Sequence, residues 1–132
     1  MISDENLQLG QREYDWEYWG QTDKEVKKII YGHWIIEIDE EQPARLYCDK
    51  KALRALELPT MESPENYYKI WQENIFSSHI AEMQRHVNSI IHGEQGDITY
   101  PWKSPTGNTL YLRSVGMRDM RYKKSIRLVG IF

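Results

Sequence analysis

The stretch YPWKSPTGNTLYLRSVG, residues 100–116, decides the fold. Apolar side chains recur at every second position on both sides of residues 104–108, which is the period of a β-strand. Pro105 suits the second position of a tight turn and Gly107 can adopt a positive φ, so the stretch predicts a hairpin. Pro101 has no N–H to donate to a neighbouring strand, and we therefore expect its strand at the edge of a sheet.

The segments around this hairpin predict the other elements. Residues 34–38 and 126–132 are apolar on both faces, which indicates central strands, and residues 44–48 form a further strand. Short helices are expected at residues 22–32, after residue 49 and after the Ser-Pro-Glu sequence at 63–65, and the longest helix at residues 76–92. Because strands and helices are segregated along the chain, an α+β fold with an antiparallel sheet and helices on one face is favoured.

Length and composition limit the classes of function. A chain of 132 residues can bury a core without covalent staples, and its single cysteine, Cys48, excludes an internal disulfide. No apolar run approaches the ~20 residues of a membrane span, and the N-terminus does not resemble a secretory signal. The net charge of -3 gives no general reason to expect nucleic acid. We therefore expect a cytoplasmic protein with no nucleic-acid partner and no membrane insertion.

Charged clusters and motifs give little support for catalysis. The basic stretch at residues 118–124 is interpreted as a solvated hairpin tip in preference to a phosphate-binding patch. The acidic run at residues 39–41 is interpreted as a solvated turn in preference to a catalytic pair of carboxylates. The chain has no nucleophile elbow and no Gly-rich phosphate loop, and no Cys/His pair has metal-ligand spacing. We expect a domain that is not an enzyme and holds no metal.

Four pieces of the sequence together resemble a PAS domain of the subclass common in bacterial sensor proteins (PAS_3-like). They are YGHWIIEID at 31–39, IIHGE at 90–94, the hairpin at 100–116 and IRLVGIF at 126–132. The resemblance implies a five-stranded antiparallel sheet in the order 2-1-5-4-3, with helices on one face. It also implies a division into an N-terminal helical extension, residues 1–32, and a PAS-like domain, residues 33–132.

The resemblance implies a role in sensing. Such domains bind a small ligand or dimerise, and so regulate an attached output domain of the histidine kinase or diguanylate cyclase type. A flavin photosensor is rejected, because the family needs an Asn-Cys-Arg-Phe-like segment and Cys48 stands in LYCDKKA. Haem-binding relatives take an axial histidine from the long helix, where His79 and His86 lie. The cofactor therefore stays unknown, with haem as one alternative.

Two sets of apolar residues are candidates for function. A ligand pocket is expected from side chains that face the helices, although the same residues also suit a filled core: Ile36, Ile38, Leu46, Leu53, Leu56, Ile80, Met83, Tyr100, Trp102, Leu110 and Leu112. Tyr100 and Trp102 are the strongest of these, since each combines an apolar face with a polar atom.

The second set lies on the outer face of the sheet, where apolar surface needs a cover. By alternation Ile35, Val129 and Ile131 face outward. The cover is either the N-terminal segment, with Trp16, Trp19, Ile29 and Ile30, or a second subunit in a homodimer. The alternative to a ligand sensor is therefore a dimerisation scaffold with a filled core and no ligand.

Overall fold

A five-stranded antiparallel sheet forms the centre of the fold. The computed structural model describes residues 32–132; residues 1–31, with the predicted N-terminal extension and its helix, lie outside the described residues. The strands are β1 His33–Ile38, β2 Arg45–Cys48, β3 Gly96–Lys103, β4 Thr109–Arg118 and β5 Ile126–Ile131. Their order is β2-β1-β5-β4-β3 and each neighbouring pair is antiparallel, which confirms the predicted topology.

The connection between β2 and β3 carries the helices, which are α1 Lys50–Ala55, α2 Pro64–Glu73, a 3-10 turn at Ser77–His79 and α3 Ile80–Ile91. Asp49 caps α1, because its side chain accepts the N–H of Ala52 at 2.8 Å. Ser63 caps α2 in the same way, since it accepts the N–H of Asn66 at 3.1 Å, and Pro64 begins the helix. The sequence predicts this second cap correctly.

The helix α3 begins later than its apolar pattern predicts. The 3-10 turn at Ser77–His79 has fewer residues per turn than an α-helix, so the apolar stripe that starts at Phe76 changes phase. Ile80, the first residue of α3, is 43% exposed, whereas Met83 and Ile90 of the same helix are buried. The stripe therefore packs in the core only from Met83 onward.

Two contacts close the C-terminal end of α3. Gly93 has a φ of 102°, and the N–H of Glu94 reaches back to the carbonyl of Ser89 at 3.1 Å, as in a glycine-terminated helix. Arg118 of β4 also donates from Nη1 to the carbonyl of Ile91 at 2.8 Å. A cation at this position compensates the partial negative charge of the helix end and joins the helix to the sheet.

Pro101 lies in the edge strand β3, as predicted. The N–H of Lys103 points away from β4, because it donates to the carbonyl of Asn74 at 3.2 Å. By alternation the nitrogen of Pro101 lies on the same outer edge, where proline removes no bond to β4. The edge is less open than the sequence suggests, since Ile75 forms a single antiparallel bridge to Trp102.

The two faces of the sheet differ in what covers them. In β3 the buried residues Ile98, Tyr100 and Trp102 alternate with exposed or half-buried ones, and they join an apolar cluster with side chains of all three helices. On the opposite face Ile35 pairs with Val129. Both are buried, yet neither belongs to that cluster. The sheet therefore has an inner face toward the helices and an outer face with apolar residues of its own.

Candidate functional site

Most of the predicted pocket residues lie together on the inner face. Eight of them are buried in one apolar cluster: Ile36, Leu46, Leu53, Leu56, Met83, Tyr100, Trp102 and Leu112. Ile38 and Leu110 are half-buried and pack against this cluster, while Ile80 is exposed. The structure thus brings the predicted residues into one place between the helices and the sheet, which we call the cleft, with Ile80 at its exterior.

The polar atoms of Tyr100 and Trp102 bind protein groups. Trp71 Nε1 donates to Tyr100 Oη at 2.9 Å, and Tyr100 Oη lies 3.4 Å from Ser114 Oγ. Trp102 Nε1 donates to the carbonyl of Trp71 at 2.9 Å. Burial raises the pKa of the Tyr100 hydroxyl, which therefore stays neutral at pH 7. The polar atoms on this side of the cleft are therefore already paired with protein groups.

The opposite side of the cleft contains Trp34, which the sequence analysis did not include in the site. Its strand partner is Gly130, which pairs with Gly116 in β4. The indole ring lies across both glycines, because a Cβ added at Gly130 would lie 2.5 Å from Trp34 Cζ2 and one added at Gly116 would lie 2.7 Å from Cη2. Because these two glycines have no side chains, the indole ring packs directly over their backbone.

The indole N–H of Trp34 is the unusual polar group of this cleft. Its Nε1 is buried and has no hydrogen-bond partner among residues 32–132. An unpaired buried donor is destabilising by about 1–3 kcal/mol, so an acceptor supplied from outside would stabilise this arrangement. Phe132 packs beside the indole, with ring centroids 5.9 Å apart. A sequence signal exists in Gly116 and Gly130, two glycines within strand patterns, although only the register shows that they meet Trp34.

The two helix histidines lie in different surroundings. His79 ends the 3-10 turn, and its Nδ1 lies 3.0 Å from Ser78 Oγ. His86 is half-buried against β3, because a Cβ added at Gly96 would lie 2.5 Å from its Cε1. Burial lowers the pKa of His86, although Asp97 and Glu82 oppose this effect. To act as an axial ligand, the imidazole of His86 would have to leave its contact with Gly96.

The described residues show no other reactive centre. No three His, Cys, Asp or Glu side chains within residues 32–132 are grouped so that they can hold a metal ion. Cys48 is fully buried, and burial raises the pKa of its thiol, so the thiol stays protonated. None of the helices in this part of the chain is long and apolar enough to cross a bilayer.

The outer face carries an ionic cluster that the sequence analysis did not predict. Glu37 of β1 lies between Arg45 of β2 and Arg127 of β5, in register with both. Its Oε1 accepts from Arg45 Nη2 at 3.1 Å and its Oε2 accepts from Arg127 Nη2 at 2.8 Å, while its side chain is 5% exposed. Asp39 accepts a further bond from Arg45 at 3.0 Å, which is the main reason that the pKa of Asp39 is lowered.

The basic stretch and the acidic turn have structural partners. Arg118 caps α3, and Arg121 pairs with Asp119 at 3.0 Å. Arg121, Lys123 and Lys124 are exposed. The Asp39 side chain accepts the N–H of residues 41 and 42 at 3.1 and 2.8 Å, which closes the turn between β1 and β2. Arg118 thus belongs to β4 and not to a solvated tip, whereas the other contacts agree with the interpretation of both stretches as surface turns.

An open groove of about 540 Å³ lies between the β1–β2 turn and α2. Pro43 and Ala44 form one side, and Asn66, Tyr68 and Lys69 belong to the other. None of the predicted pocket residues lines this groove. It is therefore separate from the cleft that holds the predicted site.

Solved structures with the same arrangement come from signalling proteins. A sensory box histidine kinase/response regulator from Burkholderia thailandensis matches with a TM-score of 0.61 and 15% identity over 80% of this chain and 77% of that chain. The N-terminal domain of a diguanylate cyclase with PAS/PAC sensor from Marinobacter aquaeolei matches at 0.58 and 15%, over 76% and 91%. A sensory box sensor histidine kinase/response regulator domain from Geobacter sulfurreducens matches at 0.51 and 12%, over 86% and 94%.

Sequence comparison gives no corresponding result, since no family model and no curated protein matches the chain. The likeness is therefore one of fold. The five strands in the order β2-β1-β5-β4-β3, with helices packed on one face, are those of a PAS-like domain.

Proposed function

We propose that this chain is a non-catalytic, cytoplasmic sensory input domain of the bacterial PAS_3-like subclass. It regulates an attached output domain of the histidine kinase or diguanylate cyclase type. The observation that carries this proposal is the sheet order with its helices on one face, which the chain shares with domains of such proteins.

The proposed signal is a small molecule bound in the cleft between the helices and the inner face. A ligand regulates only if it binds one of two arrangements better than the other. Trp34 Nε1 supports a ligand with a hydrogen-bond acceptor, because this donor is buried and has no partner among the described residues. Met83 and Ile36 belong to the same apolar cluster and supply nonpolar contacts.

A dimerisation scaffold is the second candidate function. The hydrogen bonds among Trp71, Tyr100 and Trp102 support it, because they fill one side of the cleft with groups that need no ligand. In this case the signal passes through the outer face alone.

The proposal also includes a homodimer whose outer faces are covered with help from the N-terminal segment, in particular Trp16, Trp19, Ile29 and Ile30. Ile35, Val129 and Ile131 belong to this face, and Met117, the strand neighbour of Val129, is 44% exposed there. Apolar side chains of this kind are typical of an interface between subunits.

Native mass spectrometry and an absorption spectrum of the purified full chain separate the two functions. A retained small molecule supports the sensor, and its occupancy should fall at least tenfold in Trp34→Phe, which keeps a ring but removes the N–H. Lys103→Ala, an exposed change, serves as the control. A ligand-free, compact protein would instead support the scaffold.

The dimer has its own test in sedimentation velocity. Met117→Glu should shift the full chain toward the monomer, because it places a charge on the outer face. Met61→Glu is the matched control, since Met61 is 73% exposed in the loop before α2. Equal oligomeric states in both variants would remove the outer face as the interface.

A further inference from the structure

Glu57 has a backbone conformation that is unfavourable for a glutamate. Its φ is 55°, and no other non-glycine residue within 32–132 has a positive φ. It follows α1, where the N–H of Leu58 donates to the carbonyl of Leu53 at 2.9 Å and the N–H of Glu57 donates to that of Arg54 at 3.1 Å. Helices that end in this pattern usually carry glycine at the position of Glu57. Helix termination alone would therefore favour glycine here.

The side chain of Glu57 makes hydrogen bonds that a glycine at this position could not make. Its carboxylate accepts from Ser104 Oγ at 2.6 Å and from Asn108 Nδ2 at 3.0 Å, and the Thr106 hydroxyl donates to the same oxygen. All three donors belong to the turn between β3 and β4, 47 to 51 residues away in sequence. The bonds from Ser104, Thr106 and Asn108 lower the pKa of the Glu57 carboxyl.

The two segments that Glu57 joins are walls of the cleft. Leu56 and Leu58, on either side of Glu57, are buried in the inner-face cluster. Trp102 belongs to the same cluster and Leu110 packs against it, on the two strands that meet at the turn. The carboxylate therefore bridges the α1–α2 loop and the hairpin at this edge of the cleft.

We propose that Glu57 is a latch that holds the β3–β4 turn against the α1–α2 loop and keeps this end of the cleft closed. A strained backbone conformation persists where surrounding contacts stabilise it, and the hydrogen bonds of Glu57 with the turn are such contacts. When the carboxylate releases its three donors, the hairpin tip can move away from the loop while the rest of the sheet stays paired. The latch works without a ligand, so it does not depend on the proposed function.

Amide hydrogen exchange on the full chain tests the latch. Glu57→Gly removes the carboxylate and the strain together, so the protein should remain folded. The N–H groups of Ser104 and Gly107, which close the turn, should exchange at least tenfold faster, while that of Ile36 keeps its rate. Glu40→Gly, a change in an exposed turn, should leave all of these rates unchanged.

A second variant separates the latch from any effect of glycine on the loop backbone. Asn108→Asp leaves the loop unchanged and places a carboxylate against Glu57, so it should accelerate exchange at Ser104 and Gly107 to a similar extent. Unchanged exchange at the turn in both variants would overturn the latch. Acceleration in Glu57→Gly alone would also overturn it, because the effect would then come from the loop backbone.

Discussion

The carboxylate of Glu37 accepts two hydrogen bonds from the guanidinium of Arg127, at 2.8 and 3.1 Å, across the central strands β1 and β5. Its other oxygen faces Arg45. One buried anion thus compensates two arginines in three adjacent strands. Removing it would leave Arg45 to Asp39, and Arg127 to Asp119 at 3.9 Å, on a face where both arginine side chains are only 11% exposed.

Glu37→Gln should lower the free energy of unfolding by about 3–5 kcal/mol, since it removes the buried anion that the two arginines share. Urea denaturation measures the change. Asp97→Asn is the control, because its pair with Arg113 is more than half exposed and should contribute at most about 1 kcal/mol. Similar losses in both variants would contradict the structural role given to Glu37.

Gly116→Ala should destabilise the protein by about 1–3 kcal/mol, because the added methyl group meets the indole of Trp34. Trp34→Leu should recover part of this loss in the double variant, which a thermodynamic cycle from urea denaturation would measure. Gly130→Ala is the comparison, since its Cβ also meets the backbone carbonyl of Val115 and should not be rescued. Additive effects of Gly116→Ala and Trp34→Leu would exclude the contact.

Pro101→Val should increase self-association, because it restores an N–H on the outer edge of β3 and adds a residue with high β-propensity. The stability of the monomer should change little, since the bonds between β3 and β4 remain. Light scattering at increasing protein concentration would detect the association. Thr99→Val on the same strand is the control, as it alters the side chain but adds no N–H.

Stability should fall as the pH drops below about 6.5, the ordinary pKa of histidine, because burial lowers the pKa of His86 in the folded state. The unfolded chain then binds the proton more readily, so each step toward acid favours unfolding until the folded His86 is also protonated. Thermal melting of the full chain between pH 7 and 5 would show this trend. In His86→Gln the part of the trend due to His86 should be lost, whereas His92→Gln, an exposed change, should retain it.

The sequence predicts those parts of the fold whose signals are local. The hairpin of β3 and β4 follows from alternating side chains around Pro105 and Gly107, and the start of α2 follows from Ser63 and Pro64. The edge position of β3 follows from one residue, Pro101, because proline lacks the donor that an inner strand needs.

The remaining features depend on register or on backbone geometry, which local patterns do not contain. Glu37 and Arg127 lie 90 residues apart and meet only through the pairing of β1 with β5. The packing of Trp34 over Gly116 and Gly130 requires glycines from two further strands to align. Ile80 keeps the spacing of the stripe but lies at the exposed start of α3, and the positive φ of Glu57 has no signal in a glutamate.

The bond from Arg118 to the carbonyl of Ile91 fixes the carboxyl end of α3 to β4, while at the other end His79 makes no side-chain cap to the helix. A helix that is fixed at one end can rotate about that end more easily than it can slide along its axis. Displacement of α3 should therefore be a swing with its pivot at Arg118, so that Ile80 travels farthest and the amplitude grows with distance from the pivot.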